Sequence, residues 1–485
     1  MTLSYIPSDT NDEGVLKATA SGVLPNGKAV IVNADGTVSV VAETSFSEAT
    51  GSATVFESAA SENIAITFDS NLNKIVIAFR DTGNSNYGTA IVGTVSSNSI
   101  SFGTAVVFES AATESIAATF DTNSNKVVLC YKDSGNSSRG TSIVGTVSGT
   151  GISFGSAVVF DTSTASDLSA TFDTDTNKVI FAYQQGGTNT GRAVVGAVSG
   201  TNISFGSTVA FDSAGGGWIS VTYDSSASKV VIAFTDDSNS YGTAIVGTVS
   251  GTAISFGTKV VFESASSRYM SAAYDSSNNK VIIGYSDLGN STYATAVVGT
   301  VSGTAISFGT PVVFESAAVY SLSATYDIAA GKVTISYSDD GNGQYGTLIS
   351  GTVSGTTISF GSPSVFESAV TLRISSAYDS NSNKVVVAYA DNGNSAYGTS
   401  VVHQNAYTST NITAENYIGI STGGTYASGS NATVKIIGNT SNDQSSLTAG
   451  QSYFVQTNGT IGTTADDPSV FAGTAISATK LIVKT

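Results

Sequence analysis

Residues 106–157 read VVFESAATESIAATFDTNSNKVVLCYKDSGNSSRGTSIVGTVSGTGISFGSA. Residues 260–311 read VVFESASSRYMSAAYDSSNNKVIIGYSDLGNSTYATAVVGTVSGTAISFGTP. These are two copies of one sentence of about 52 residues, written seven times along the chain. An anchor aspartate recurs at Asp69, Asp121, Asp173, Asp224, Asp275, Asp327 and Asp379, in steps of 52, 52, 51, 51, 52 and 52. A second acidic anchor keeps the same step at Glu57, Glu109, Asp161, Asp212, Glu263, Glu315 and Glu367. A period this regular denotes an array of one supersecondary unit.

Inside the copy that begins at Val106, apolar residues alternate or run short over Ile116–Phe120, Lys126–Tyr131, Thr141–Val147 and Ile152–Phe160. Val, Ile, Phe, Tyr and Thr dominate these segments, as β-strands require. Asp, Asn, Gly and Ser separate them, and these residues reverse a chain because they tolerate positive φ or bond their own backbone. No helical apolar period is present. Four antiparallel strands per repeat predict a blade of a β-propeller.

The last copy stops after its third strand, at Thr399–Val402, and a lone fourth strand stands before the first copy at 45–57. The sequence therefore predicts an all-β protein: a seven-bladed propeller over 45–405 whose last blade is completed by the N-terminal strand. Closure would remove two sheet edges that otherwise invite aggregation. A parallel solenoid would explain the period but not the displaced strand.

The ends depart from the repeat. Residues 24–42 (LPNGKAVIVNADGTVSVVA) and 447–465 (LTAGQSYFVQTNGTIGTTA) each carry an Asp-Gly or Asn-Gly hairpin signal. Residues 1–44 and 406–485 are expected to form one small β-rich base domain, because a closed propeller brings its two ends together.

The net charge of −17 argues against nucleic acid and anionic membrane surfaces as partners. The single cysteine, Cys130, excludes an intrachain disulfide framework and stands where other copies have Ala, Gly or Ser. Neither a signal peptide nor an apolar run of membrane-spanning length is visible. The single His403 excludes a Ser-His-Asp triad or a histidine-based metal site.

Two resemblances follow from particular residues. The end segments Glu415–Ile420 (ENYIGI), Leu447–Gln456 (LTAGQSYFVQ) and Ala472–Val483 (AGTAISATKLIV), with 14–22 (GVLKATASG), resemble terminal modules of virion proteins from tailed bacteriophages of the marine and cyanophage type. That resemblance implies a tail-fibre, adhesin or capsid-decoration protein. It implies placement in the virion after synthesis in the host cytoplasm, other virion proteins as partners, and a homo-oligomer. The turns that begin at Asp81, Asp133, Asp237, Asp287, Asp340 and Asp391 resemble the Asp-box of sialidase-type propellers, with Tyr in place of Trp. In that family the box braces a turn. The arginine cluster of a sialidase site is missing, since Arg80, Arg139, Arg192, Arg268 and Arg373 are scattered over five copies. Turn aspartates capping backbone amides explain the boxes, with calcium held by the crowded turn oxygens as the alternative; the copy with Gln184-Gln185 lacks the aspartate, which argues against a metal required at every blade.

Variation concentrates between the acidic anchor and the first strand, where the copies read AASEN, AATES, TASD, AGGGW, ASSRY, AAVYS and AVTLR. In a propeller these segments, expected as loops, ring one mouth of the central channel. They place Trp218, Tyr269 and Tyr320 in adjacent blades, with Arg268 alongside and Arg373 one blade on. Flat aromatics beside polar groups suit sugar rings; the alternative is that Tyr269 and Tyr320 plug the channel. The sequence thus predicts a non-enzymatic phage structural protein, without cofactor or metal, that binds a host-surface glycan. The alternatives are a sialidase-like depolymerase and a purely architectural decoration.

Overall fold

The computed structural model describes residues 14–213 and 215–484. The chain divides into two compact units, Ser47–Ala406 and the segments on either side of it.

In the repeat unit, each copy builds a four-stranded antiparallel blade, which gives a propeller-like fold. The long strand Val106–Asp121 shows how. Its first half pairs as the outer strand with Tyr87–Ser96 of the preceding blade. Its second half pairs with Lys126–Asp133 and becomes the inner strand of the next blade. The third strand is Arg139–Ser148, and the short hairpin strand Gly151–Phe154 begins the following outer strand.

The second strand of each blade is buried on both faces, so it reads as an unbroken apolar run. Val127, Val128, Leu129, Cys130 and Tyr131 are fully buried. Burial pushes the Cys130 thiol well above its usual range, as suits a small inert core residue. Cores form between blades: Val76, Ala78 and Val92 of the first copy pack with Phe108, Val127 and Leu129 of the second. Burial of this kind contributes about 25 cal/mol per Å² of apolar surface.

The first and last copies also share a core, in which Phe56, Ile75 and Phe79 meet Val386, Ala388 and Val402. The third strand of the last copy, Tyr397–Gln404, pairs with Ala49–Thr50 and with the first half of Thr54–Asp69. Ser45-Phe46, expected at the start of this outer strand, lies elsewhere: it belongs to Glu43–Phe46, which pairs with Tyr407–Thr410. The register puts Thr50 opposite His403, just as Phe102 lies opposite Gly93. A Cβ on Gly93 would stand 2.6 Å from Ile100 Cδ1 and 2.9 Å from Phe102 Cε1. Glycine fits the closely packed blades, whereas the last blade joins through a larger polar pair.

Turn aspartates hold both ends of the blades. The anchor Asp121 is buried and accepts the amides of Asn123 and Ser124 at 2.9 Å each. At the opposite end Asp133 accepts the Asn136 amide at 3.1 Å. Strand register assigns this second position to Asp236 and Asp339 in the fourth and sixth copies, rather than to Asp237 and Asp340, because Asp236 and Asp339 end their second strands. Asp236 accepts the Ser238 amide at 3.0 Å, whereas the Asp339 side chain makes no cap bond. The second acidic anchor braces a buried tyrosine: Tyr131 Oη donates to Glu109 at 3.1 Å, and Tyr183 to Asp161 at 2.7 Å.

The other unit interleaves both chain ends. One five-stranded sheet runs Val15–Thr19, Asn431–Ile436, Tyr417–Thr422, Ala29–Val32, Val38–Val40. A second carries Thr440–Ser441, Lys480–Val483, Val470–Ser477, Ser452–Val455 and Ile461–Gly462. Their shared core joins Ile31 and Val41 to Ile420, Tyr453 and Leu481.

Candidate functional site

The segments that vary between copies are strand, not loop. Outer and inner strand run on as one continuous strand in every copy but the fourth, where Val209–Asp212 and Gly216–Asp224 are separate strands. What marks the place is a β-bulge near the start of each inner strand, such as that between Arg268 and Ser271. One residue of every bulge is left-handed: Asn63, Ser115, Asp167, Trp218, Tyr269, Ser321 and Arg373, with φ of 46–57°. The order of the strands places these equivalent residues side by side.

Asn and Asp suit this conformation best; Ser, Trp, Tyr and Arg meet the crowding of Cβ against the carbonyl, at a cost of roughly 1 kcal/mol or more each. The short polar residues also use their side chains. Asn63 Oδ1 accepts the amide of Ser115 at 3.2 Å, Asp167 Oδ2 that of Trp218 at 3.1 Å, and Ser321 Oγ that of Arg373 at 2.9 Å. Side-chain oxygens thus link three of the bulges to the next, and among the described residues Ser115, Trp218, Tyr269 and Arg373 make no such link.

The three aromatics expected at this face do come together. The rings of Trp218 and Tyr269 are 4.4 Å apart at 54°, and those of Tyr269 and Tyr320 are 5.7 Å apart, edge to face at 85°. Trp218 keeps 39% of its surface exposed, while Tyr269 and Tyr320 are half-buried. Burial raises the Tyr269 hydroxyl, helped by Tyr320 and opposed by the charges of Arg268 and Arg373. Both arginines therefore lie within electrostatic reach of Tyr269, and both are exposed.

The residue before each bulge faces the second strand of its own blade. In the first two copies that pair is ionic: Arg80 meets Glu62 at 3.2 Å and Lys132 meets Glu114 at 2.7 Å. In the fifth and sixth copies Arg268 and Tyr320 lie opposite Ser286 and Ser338. Among the described residues no carboxylate lies within 4.0 Å of the guanidinium of Arg268 or Arg373. One side of the face is thus internally neutralised, while the aromatic side carries free cations.

Asp167 flanks Trp218 on the other side. It is exposed by area, yet protein atoms surround most of it, and that desolvation raises its carboxyl despite the bond from the Trp218 amide. Asp237 is raised as well, by desolvation and then by Asp167. The sequence reading missed both Asp167 and the amide ladder. The only visible signal was Asn and Asp at equivalent variable positions.

His403 is remote from this arrangement. It is buried, with Nδ1 2.9 Å from Thr50 Oγ1 and Nε2 3.4 Å from Asn405 Oδ1.

No family model matches the chain, and no curated protein matches it in sequence. Among solved structures it is similar to the BP39L lectin from Burkholderia pseudomallei, with 11% identity, a TM-score of 0.50, and coverage of 75% of this chain and 98% of that one. A triple arginine-to-alanine mutant of AofleA from Arthrobotrys oligospora matches at 14% identity and a TM-score of 0.41, covering 69% of this chain and 94% of that one. At such identity the first likeness speaks for the propeller-like fold alone.

Proposed function

We propose that the chain is a carbohydrate-binding protein that works through the face bearing Trp218, Tyr269 and Tyr320. One observation carries the reading. A left-handed bulge position that other copies fill with Asn, Asp or Ser holds Trp218, Tyr269 and Arg373 instead. Those choices add backbone strain and sacrifice a hydrogen bond, and packing gives no compensating burial of Trp218. Strained, repeat-breaking residues on a rigid scaffold are characteristic of binding sites. Stacked aromatics present flat apolar faces to sugar C–H groups, while Asp167, Arg268 and Arg373 supply hydrogen bonds to hydroxyls. The fold likeness to a lectin supports the same reading.

The ring is read as seven blades closed by the N-terminal strand, a reading supported by the pairing of Tyr397–Gln404 with Ala49–Thr50 and Thr54–Asp69 and by the core shared between first and last copies. The protein acts without catalysis, as a phage virion component that attaches the particle to a host-surface glycan and assembles as an oligomer through its terminal unit. The similarity of the end segments to phage virion modules supports that setting. The charge of −17 favours a neutral or weakly acidic glycan over a polyanion.

A glycan array probed with the full chain, run beside a depolymerase assay on host capsule and lipopolysaccharide, tests this reading. Saturable glycan binding without turnover is expected. Turnover abolished by changing one acidic residue would replace it with a glycosidase, and no binding to cells or glycans would leave an architectural protein. Labelling the chain on intact particles tests the virion assignment.

A further inference from the structure

We propose that the site takes a saccharide bearing a single carboxylate, and that a carboxylate oxygen completes the interrupted amide ladder at Tyr269 and Ser321. This rests on the glycan-binding reading above and makes it specific.

The ladder shows what those amides are built to meet. Where the preceding bulge residue is Asn63, Asp167 or Ser321, its side-chain oxygen sits 2.9–3.2 Å from the next bulge amide. Before Tyr269 stands Trp218, whose indole is a donor only. Before Ser321 stands Tyr269, whose polar atom lies at the far end of its ring. Among the described residues, no side-chain oxygen reaches the amide of Tyr269 or Ser321. Ser115 likewise gives nothing to the amide of Asp167, but there the neighbouring charges are already paired, Glu114 with Lys132 and Arg80 with Glu62.

A second ladder holds these blades together without the first. Ser169 Oγ accepts the amide of Val221 at 3.0 Å, Ser220 that of Ala272 at 2.9 Å, Ser271 that of Ala324 at 2.9 Å and Ser323 that of Ser376 at 3.0 Å. The serine ladder thus persists across these blades, while the amides of Tyr269 and Ser321 meet no side-chain oxygen among the described residues.

Charge selects the kind of oxygen. Arg80, Arg139 and Arg192 each donate to a protein side chain. Arg268 and Arg373, the two arginines near Tyr269, have no carboxylate partner among the described residues. Two guanidinium groups without a carboxylate partner, beside two amides that no side-chain oxygen meets, suit a carboxylate, which charge-assisted bonds hold about twice as strongly as a neutral acceptor. Asp167 and Asp237 oppose an anion at the Trp218 end, so the carboxylate lies toward Arg373 and the sugar ring toward Trp218. The protein's overall negative charge is screened beyond about 8 Å at physiological salt, which leaves the local arginines decisive.

The test is titration of the full chain with D-glucuronate and with D-glucose, together with hydrogen exchange resolved at single amides. Glucuronate should bind at least tenfold more tightly. It should slow exchange at Tyr269 and Ser321 while leaving Ala272 and Ala324, already bonded to serine hydroxyls, unchanged. Arg373→Gln should remove most of the preference for glucuronate, weakening glucuronate binding far more than glucose binding. Equal affinity for both sugars, each lost in Trp218→Ala, would overturn the carboxylate assignment while keeping the glycan site. Absence of binding by either sugar, or binding indifferent to Trp218→Ala, would overturn the underlying reading as well.

Discussion

Asp167 accepts the backbone amide of Trp218 through Oδ2 at 3.1 Å, so the only tryptophan of the chain is held in a left-handed bulge by the carboxylate of the preceding blade. The bond fixes the platform while desolvation raises the carboxyl that makes it. Asp167→Asn keeps an acceptor and removes the charge. A raised carboxyl means that the native state binds the proton more tightly, so stability declines as pH rises from the unfolded value near 3.8 through the raised folded value. Thermal unfolding between pH 3.5 and 7 should show that decline flattened in Asp167→Asn. Asp167→Ala loses the acceptor and should cost about 1 kcal/mol.

His403 and Thr50 provide a second pH-dependent contact, at the junction of the first and last copies. Burial holds the imidazole below its ordinary value, against the opposing effects of Asn405, Glu48 and Asp327, while Lys332 pushes the same way as burial. The neutral ring is the one that folds. Stability should therefore be complete above the unfolded value near 6.5 and fall as pH drops below it, by at most about 1.4 kcal/mol per pH unit for one proton. Melting curves from pH 7.5 to 5 should show this slope, and His403→Gln should remove it.

In the first and fourth copies a phenylalanine, Phe79 or Phe234, replaces the buried tyrosine that braces the acidic anchor in the others, and in the fourth copy Lys259 takes over. Its Nζ lies 2.7 Å from both Asp212 and Asp236, two buried carboxylates. Burial alone would lower the lysine, yet the two carboxylates hold it above its usual range. Lys259→Met should destabilise the protein by about 2 kcal/mol, less than the loss of a fully buried partner because the lysine is partly exposed. Chemical denaturation measures it.

The period, the four strands per copy and the two-ended terminal unit can be read from residues because they rest on local signals: alternation, Asn-Gly and Asp-Gly turns, and acidic anchors at fixed steps. Boundaries set by pairing cannot. Asp236-Asp237 and Asp339-Asp340 offer two adjacent candidates for one turn position, and only strand register chooses between them. Ser45-Phe46 imitates the start of an outer strand, yet its partner is Tyr407–Thr410. Within the site, the aromatics and arginines are visible as departures from the repeat. The positive φ beneath them is not, since Trp218 and Tyr269 are residues that conformation disfavours. The amide ladder joins positions about 52 residues apart and becomes apparent only once the blades stand side by side.

Affinity of the full chain for the glycan it retains on an array, compared between Trp218→Ala and Asn136→Ala, tests the central claim most directly. Asn136 lies in a regular turn and braces only its own blade. With unfolding transitions intact in both, Trp218→Ala should lose on the order of 2 kcal/mol, roughly thirtyfold in affinity, while Asn136→Ala binds as the parent does. Equal binding by the two variants would mean that Trp218, Tyr269 and Tyr320 only fill the channel, and would contradict the account.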